Sequence, residues 1–163
     1  MRAKSISIVI PVFNERKTIV EIFIRVKKSN TLGLNKEIII VDDGSTDGTT
    51  NILKQVGGKN AKIIYLKKNR GKGFALRTGF KRATGDIILV QDSDLEYHPK
   101  DYPKLIRPFI DDGETVVYGS RELLGKNKHS SIFFHAGGRL VTLVTNILYG
   151  SATTGEATMK AKR

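Results

Sequence analysis

The sequence predicts an α/β domain with a mainly parallel central sheet flanked by helices. Three observations lead there: four β-branched apolar runs, amphipathic helical segments between them, and glycine-rich or acidic turns where the runs end. Strands buried on both faces read as continuous hydrophobic runs rather than alternating ones, which is the pattern of a parallel sheet covered by helices.

The first run, SISIVIPV (5–12), is followed by NERKTIVEIFIRVKK, in which Ile19, Ile22, Phe23 and Val26 fall at i, i+3, i+4 and i+7 on one helical face. The second run, EIIIVDD (37–43), leads into DGSTDGTTNILKQVGG. There Ser45, Thr46 or Asp47 is the expected helix cap, Ile52, Leu53 and Val56 the inward face, and Gly57-Gly58 the stop. The third run, AKIIYL (61–66), precedes GKGFALRTGFKRATG, with Leu76, Phe80 and Ala83 expected to face inward and Gly85 to end the segment. The fourth is DIILVQD (86–92). This alternation calls for right-handed crossovers within one sheet. No repeat, linker or low-complexity block interrupts it, so the 163 residues read as a single domain.

Composition narrows the function classes. Cysteine is absent, which excludes disulfides and thiolate metal sites. The apolar run before Pro11 and Asn14 is too brief for a signal-peptide core. The apolar stretch 131–150 contains His135 and Arg139 and falls short of the roughly 20 apolar residues that span a bilayer, so a soluble chain is expected. The 28 Lys and Arg exceed the 16 Asp and Glu, giving a formal net charge of +12. Such an excess suits an acidic partner or simply solubility, and nucleic acid, anionic lipid and nucleotide phosphates are all candidates. The basic residues are scattered, with no recognised nucleic-acid motif, which argues against nucleic acid.

In open α/β sheets the ligand sits outside the carboxyl ends of the strands. Three of the four runs end in acids: Glu15 after the first, Asp42 and Asp43 on the second, Asp92 and Asp94 on the fourth. Neighbouring strands would bring these like charges into one crevice, where a divalent cation or the hydroxyls of a ribose would relieve their repulsion. In QDSDLE, Asp92 and Asp94 bracket a turn and Glu96 offers a third oxygen. Hard oxygen ligands that leave coordination positions open suit Mg²⁺ or Mn²⁺ bridging phosphates. Alone, DSD is equally the sequence of a solvated turn; its position after IILV and its companion VDDGS favour a site. GKGFALRTG lacks the spacing of a Walker loop and reads either as a tight helix start or as a loop that brings its backbone and Lys72 near phosphates. His98 and His135 have no partner at metal-ligand spacing and read as surface or packing residues. No serine sits in a G-x-S-x-G context, so a serine nucleophile is not expected.

Taken together, SIVIPVFNE, IIIVDDGSTDGT, NRGKGFALRTGFKRATGD, QDSDLEYHPKDYPKLIRPF and VVYGSREL resemble the inverting nucleotide-sugar glycosyltransferases of the GT-A fold. The similarity is greatest to the branch that glycosylates polyprenyl phosphates, the dolichyl-phosphate mannosyl- and glucosyltransferases. It covers residues 5–124 and continues more weakly through GGRLVTLVTNILYG. The resemblance implies a Rossmann-like three-layer sandwich in which residues 1–98 hold the nucleotide-sugar and 99–163 form part of the acceptor side. It implies that Pro11, Phe13, Glu15, Val41 and Asp43 hold base and ribose. The D-x-D motif, Asp92 and Asp94 with Ser93 between them, would meet diphosphate and metal, with Glu96 at a position often Gln in mannosyl enzymes. Arg121 of GSR would face the donor diphosphate or acceptor phosphate, and Arg139 a second phosphate.

The implied reaction is a single displacement at the anomeric carbon, with a GDP- or UDP-linked hexose as donor and a polyprenyl phosphate as acceptor. A phosphate acceptor carries its own charge and needs no base, and no base candidate follows Arg121. After NILYG the family continues with a T-D-x-x-T type segment, whereas Thr154 stands at the Asp position here. A C-terminally truncated chain is therefore expected, either active at the cytoplasmic membrane face or reduced to a nucleotide-sugar-binding module. A nucleotidyltransferase would want a glycine-rich basic loop after the first strand, and PVFNE is not that. In residues 131–149, Leu140, Val141, Val144 and Leu148 form an apolar stripe beside Arg139, suited to packing on the sheet or to an anionic membrane surface. Apolar surface left uncovered there would also favour homo-oligomers.

Overall fold

The computed structural model describes residues 3–114, 116–120 and 157–162. The elements follow the chain as β1 (Ser5–Val12), α1 (Ile19–Lys28), β2 (Asn35–Asp42), α2 (Thr49–Val56), β3 (Lys62–Tyr65), α3 (Lys72–Phe80), β4 (Ile87–Val90), α4 (Tyr102–Asp111), β5 (Val116–Ser120) and β6 (Ala157–Lys162). The sheet order is β3-β2-β1-β4-β6-β5. β1 is the centre of a parallel block: its whole length pairs with β2, and Ile6–Val9 pair with Ile87–Val90 of β4. β3 adds in parallel to β2, while Leu89 and Ile88 of β4 pair antiparallel with Ala161 and Lys162 of β6. The chain divides into two compact units, 1–117 with 161–163, and 118–160. Everything described below lies in the first.

The core is what the continuous strands predict. Ile6, Ile8, Val9, Ile10, Ile39, Ile40, Val41, Ile87 and Leu89 are fully buried. Helix α1 presents Ile19, Ile22, Phe23 and Val26 inward, the face expected from spacing. Helix α2 turns Leu53 and Thr49 inward, while Ile52 and Val56 are only half-buried. Its cap position is Gly48 rather than a side chain, although Asp47 Oδ1 accepts the Thr49 N–H at 3.0 Å.

Helix α3 meets its expected face in part. It buries Ala75 and Gly79; Leu76, and Ala83 beyond the helix end, are half-buried and pack against the core of Val9, Ile39, Val41 and Ala75, whereas Phe80 is 41% exposed. The reason is closeness. A Cβ at Gly79 would stand 2.4 Å from Val9 Cγ1 and 3.4 Å from Val41 Cγ2, so the helix backbone lies directly on β1 and β2. A large side chain has no room at Gly79, and the neighbouring Phe80 turns outward.

A polar clasp ties the turn before β4 to the sheet. Ser7 Oγ donates to Glu37 Oε2, Thr84 N–H donates to the same oxygen at 3.0 Å, Lys62 pairs with Oε1, and Gly85 N–H donates to Ser7 Oγ at 2.8 Å. Partial desolvation pushes the Glu37 carboxyl up, but hydrogen bonds from Lys62, Ser7 and Thr84 outweigh it and hold the pKa at about 2.

Two expectations follow. Gly79→Ala should lower the melting temperature, because overpacking costs about 1–3 kcal/mol and exceeds the gain of about 1 kcal/mol in helix propensity; calorimetry of both chains checks this, and an unchanged or raised melting temperature contradicts it. For Glu37, a folded pKa below the unfolded value means that its stabilisation is present above the ordinary carboxylate pKa and disappears as pH falls toward 2. Glu37→Gln should therefore lower urea stability at pH 7 and leave a shallower loss of stability below pH about 4 than the parent chain.

Candidate functional site

The strand register assembles the site. Val12 lies opposite Asp42, and Val90 lies opposite Val9. Three residues past Val90, the β4 extension is therefore level with the end of β1, and Ser93 Oγ donates to the Pro11 carbonyl at 3.2 Å. A cleft of about 290 Å³ opens at this level, lined by Pro11 and Val12 of β1, Phe13 and Glu15 just after it, Asp43 just after β2, Asn69 and Gly71 of the loop before α3, Lys72 and Ala75 of α3, and Asp92, Ser93 and Asp94 after β4. It is the crevice at the carboxyl strand ends that the sequence points to.

Each wall is fixed by local bonds. Asn14, in the left-handed region at φ 56°, receives the Thr46 N–H on Oδ1 at 2.8 Å and donates its own N–H to Ser45 Oγ at 2.9 Å. Arg16 N–H donates to Asp47 Oδ2 at 3.1 Å, so the loops after β1 and β2 are zipped together. Asp42 is buried and structural: it accepts the Ser45 N–H at 3.0 Å and the Thr50 hydroxyl at 2.5 Å. Asp43, 2% exposed, accepts the Arg70 N–H at 2.9 Å on Oδ1 and the Gly71 N–H at 2.7 Å on Oδ2. That double bond holds the loop before α3 as a cleft wall, and the Arg70 guanidinium lies 3.6 Å over the Phe74 ring. Gly44, at φ 73°, lets the two loops touch; a Cβ there would stand 2.6 Å from the Lys68 carbonyl carbon.

The acidic turn after β4 hangs from a buried pair. Tyr102 of α4 donates its hydroxyl to Gln91 Oε1 at 2.8 Å, and Gln91 Nε2 donates to the carbonyls of Asp92 at 2.9 Å and Tyr97 at 3.1 Å. Burial pushes the Tyr102 phenol pKa well up, which keeps it a neutral donor. Asp94 is exposed at the mouth and accepts the Glu96 N–H at 3.1 Å across a turn whose Leu95 has φ 66°. Asp92 is buried and ion-paired to Lys72, with Nζ 2.6 Å from Oδ1.

Of the residues singled out in sequence, Pro11, Phe13, Glu15, Asp43, Asp92, Ser93 and Asp94 share the cleft. Val41 does not line it; its side chain is buried against Val9, Ile39 and Ala75. Glu96 is exposed beyond the lining, and among the described residues no group of three or more His, Cys, Asp or Glu is arranged to hold a metal ion. Two carboxylates at the cleft nevertheless fit a cation of the Mg²⁺ or Mn²⁺ type, which typically takes one or two protein carboxylates and completes its shell with phosphate oxygens and water. His98 caps a short 3-10 turn, its Nδ1 accepting from the Lys100 N–H at 3.0 Å. Arg121, Arg139 and the 131–149 stripe lie outside the described residues. Sequence reasoning missed Asn69, which lines the cleft, and the Gln91–Tyr102 support. Buried Gln beside a strand end was the available signal for the latter, but its partner eleven residues on is visible only in three dimensions.

A family model described as glycosyl transferase family 2 matches residues 7–135. This chain belongs to that family. Over 122 residues it is 40% identical to a dolichol-phosphate mannosyltransferase of Pyrococcus furiosus, a match covering 74% of this chain and 34% of that protein. It is 32% identical over 158 residues to an undecaprenyl-phosphate 4-deoxy-4-formamido-L-arabinose transferase of Klebsiella pneumoniae, covering 94% of this chain and 45% of the relative. The chain thus spans less than half the length of these relatives. Among solved structures, a mannosyltransferase from Pyrobaculum calidifontis in complex with GDP-Man and Mn²⁺ superposes with a TM-score of 0.62 at 23% identity, over 74% of this chain and 36% of that one. That likeness bears out the fold, a GT-A, Rossmann-like arrangement on a mainly parallel sheet.

The Asp43 clamp generates a test within the site. Asp43→Asn replaces one acceptor by an NH₂ group facing a backbone N–H, a change worth about 1.5–3 kcal/mol for a charged hydrogen bond. Amide exchange at Arg70 and Gly71 should accelerate while exchange in β1 stays slow, and GDP or UDP binding should weaken with and without Mn²⁺. A loss of binding confined to Mn²⁺-containing samples would move Asp43 into the metal shell.

Proposed function

We propose that this chain carries the donor site of a metal-dependent family 2 glycosyltransferase that moves a hexose from a nucleotide-sugar, GDP-mannose or UDP-glucose, to a polyprenyl phosphate with inversion. The observation that carries this is the meeting of Asp43, Asp92 and Asp94 with Pro11, Phe13 and Glu15 around one cleft at the strand ends. The acceptor class is supported by the relatives' own names, dolichol-phosphate and undecaprenyl-phosphate transferases.

In this reading the exposed ring of Phe13 and the carboxylates of Glu15 and Asp43 receive base and ribose, since a half-exposed aromatic offers a stacking face and carboxylates at the cleft wall accept sugar hydroxyls. Val41 supports that wall from the core. Asp92 and Asp94 would hold Mg²⁺ or Mn²⁺ beside the donor phosphates, while Glu96 lies beyond the cleft lining. The ion supplies Lewis-acid stabilisation of the departing diphosphate. Ser93 anchors the D-x-D turn to β1 through the Pro11 carbonyl. An acceptor phosphate oxygen forms the new bond to the anomeric carbon as the bond to the β-phosphate oxygen breaks, and the nucleoside diphosphate leaves with the electron pair. Arg121 and Arg139 are assigned to the phosphates, consistent with Arg as a fork-shaped phosphate partner. The reaction is assigned to the cytoplasmic membrane face; among the described residues no helix is long and apolar enough to cross a membrane.

Titration calorimetry with GDP and UDP, with and without Mn²⁺, tests the donor site. Asp94→Ala should abolish the Mn²⁺-dependent part of binding and leave the circular dichroism spectrum unchanged, as expected for an exposed carboxylate. Equal metal-dependent binding in that variant would refute the metal assignment. Transfer of labelled hexose to a polyprenyl phosphate tests the reaction, and tight donor binding without transfer would restrict this chain to donor binding.

A further inference from the structure

We infer that Lys72 is a built-in counter-ion for Asp92 which a divalent cation must displace, so that the metal enters the cleft together with its nucleotide rather than ahead of it. The inference rests on the donor-site reading above and adds the order in which that site loads.

The geometry is direct. Lys72 Nζ lies 2.6 Å from Asp92 Oδ1, the first carboxylate of the D-x-D turn. The lysine side chain is 57% exposed and that of Asp92 9%, so solvent reaches the ammonium while the carboxylate is held in the cleft floor. Nothing in the fold favours a lysine at this place. Lys72 is the first residue of α3, where the helix N-terminus carries partial positive charge and disfavours a cation. The sequence before it is basic too, with Lys67, Lys68 and Arg70, and Asp92 is the partner that holds it. A cation placed against its own helix dipole, touching a predicted metal ligand, suits exchange better than it suits stability.

The exchange has a simple charge logic. With Lys72 paired, Asp92 and Asp94 present a net charge of about −1 to an arriving ion, which weakens capture of a free divalent cation. A cation already bridged to a nucleoside diphosphate brings its own anionic oxygens. These offer the displaced ammonium a new partner, so nothing is left unpaired when Asp92 turns to the metal. Lys72 is thus a positioning residue for metal loading: it keeps Asp92 in place and charge-balanced until donor and cation arrive, and couples the binding of one to the other.

The test uses the full chain and Mn²⁺ itself, read by electron paramagnetic resonance of the free ion. Lys72→Met keeps the aliphatic stem and removes the charge. Without nucleotide, Lys72→Met should bind Mn²⁺ about fivefold to tenfold more tightly than the parent chain, matching a half-exposed pair worth about 1 kcal/mol. Adding Asp92→Asn to Lys72→Met should return the affinity to the parent level or below. In the parent chain GDP or UDP should raise Mn²⁺ affinity, and in Lys72→Met that coupling should shrink. Equal Mn²⁺ affinity in the parent and Lys72→Met, including no binding by either at millimolar Mn²⁺, overturns the inference. Should neither nucleotide bind with Mn²⁺, the donor-site reading fails, and the nucleotide-free titrations still decide whether Lys72 competes with the ion. Matching thermal unfolding of the variants ensures that a change in affinity is not a change in fold.

Discussion

The in-register parallel pairing of β1 with β2 and β4 is the constraint from which the cleft follows. Because Val12 stands beside Asp42 and Val90 beside Val9, the ends of β1 and β2 and the third residue beyond β4 lie at one level, and the residues there are neighbours. The register is fixed by polar partners within a buried strand: β1 is covered almost throughout, and a slip of one residue would part the Ser7 hydroxyl from Glu37 and Gly85. Close packing of α3 through Gly79 fixes the same two strands from one face.

Crowding acids at such a place is costly unless each has its own donors. The structure answers one carboxylate at a time. Asp42 is absorbed by the turn it initiates, with Ser45 and Thr50. Asp43 is neutralised by two backbone amides, and Asp92 by an ammonium. Asp94 is left to water at the mouth, with one oxygen accepting the Glu96 N–H. The four acids differ sharply in chemistry although their sequence letters are the same. Asp42 is framework, Asp43 holds a shared wall, and the D-x-D pair divides into a buried and a solvated member.

That division explains what the sequence could and could not reveal. Long apolar strands and the α1 face were legible because hydrophobic periodicity records burial directly, and Ile19, Ile22, Phe23 and Val26 do what their spacing says. The α3 face was legible only in part: Leu76 and Ala83 pack on the core as expected, but Ala75 and Gly79 meet the sheet through absence of bulk, which a count of large apolar residues reads as exposure. The strand-end acids were visible as a cluster, but their separate roles depend on donors far away in sequence: Arg70 and Gly71 for Asp43, and Thr50 for Asp42. Gln91 and Tyr102 belong to the same class. Each is an unremarkable letter until the other is known.

The zipped loops after β1 and β2 have a thermodynamic consequence. Asn14 is held by Ser45 and Thr46, Arg16 by Asp47, and Asp43 by Arg70 and Gly71, so this wall loses little conformational freedom when a ligand arrives. Ordering a loose loop at the same place would subtract roughly 1–2 kcal/mol per backbone residue from any binding free energy. The turn after β4 is braced as well, by Ser93 on the Pro11 carbonyl and by Gln91 on the carbonyls of Asp92 and Tyr97. The cleft is in this respect a preformed mould, set before any ligand arrives.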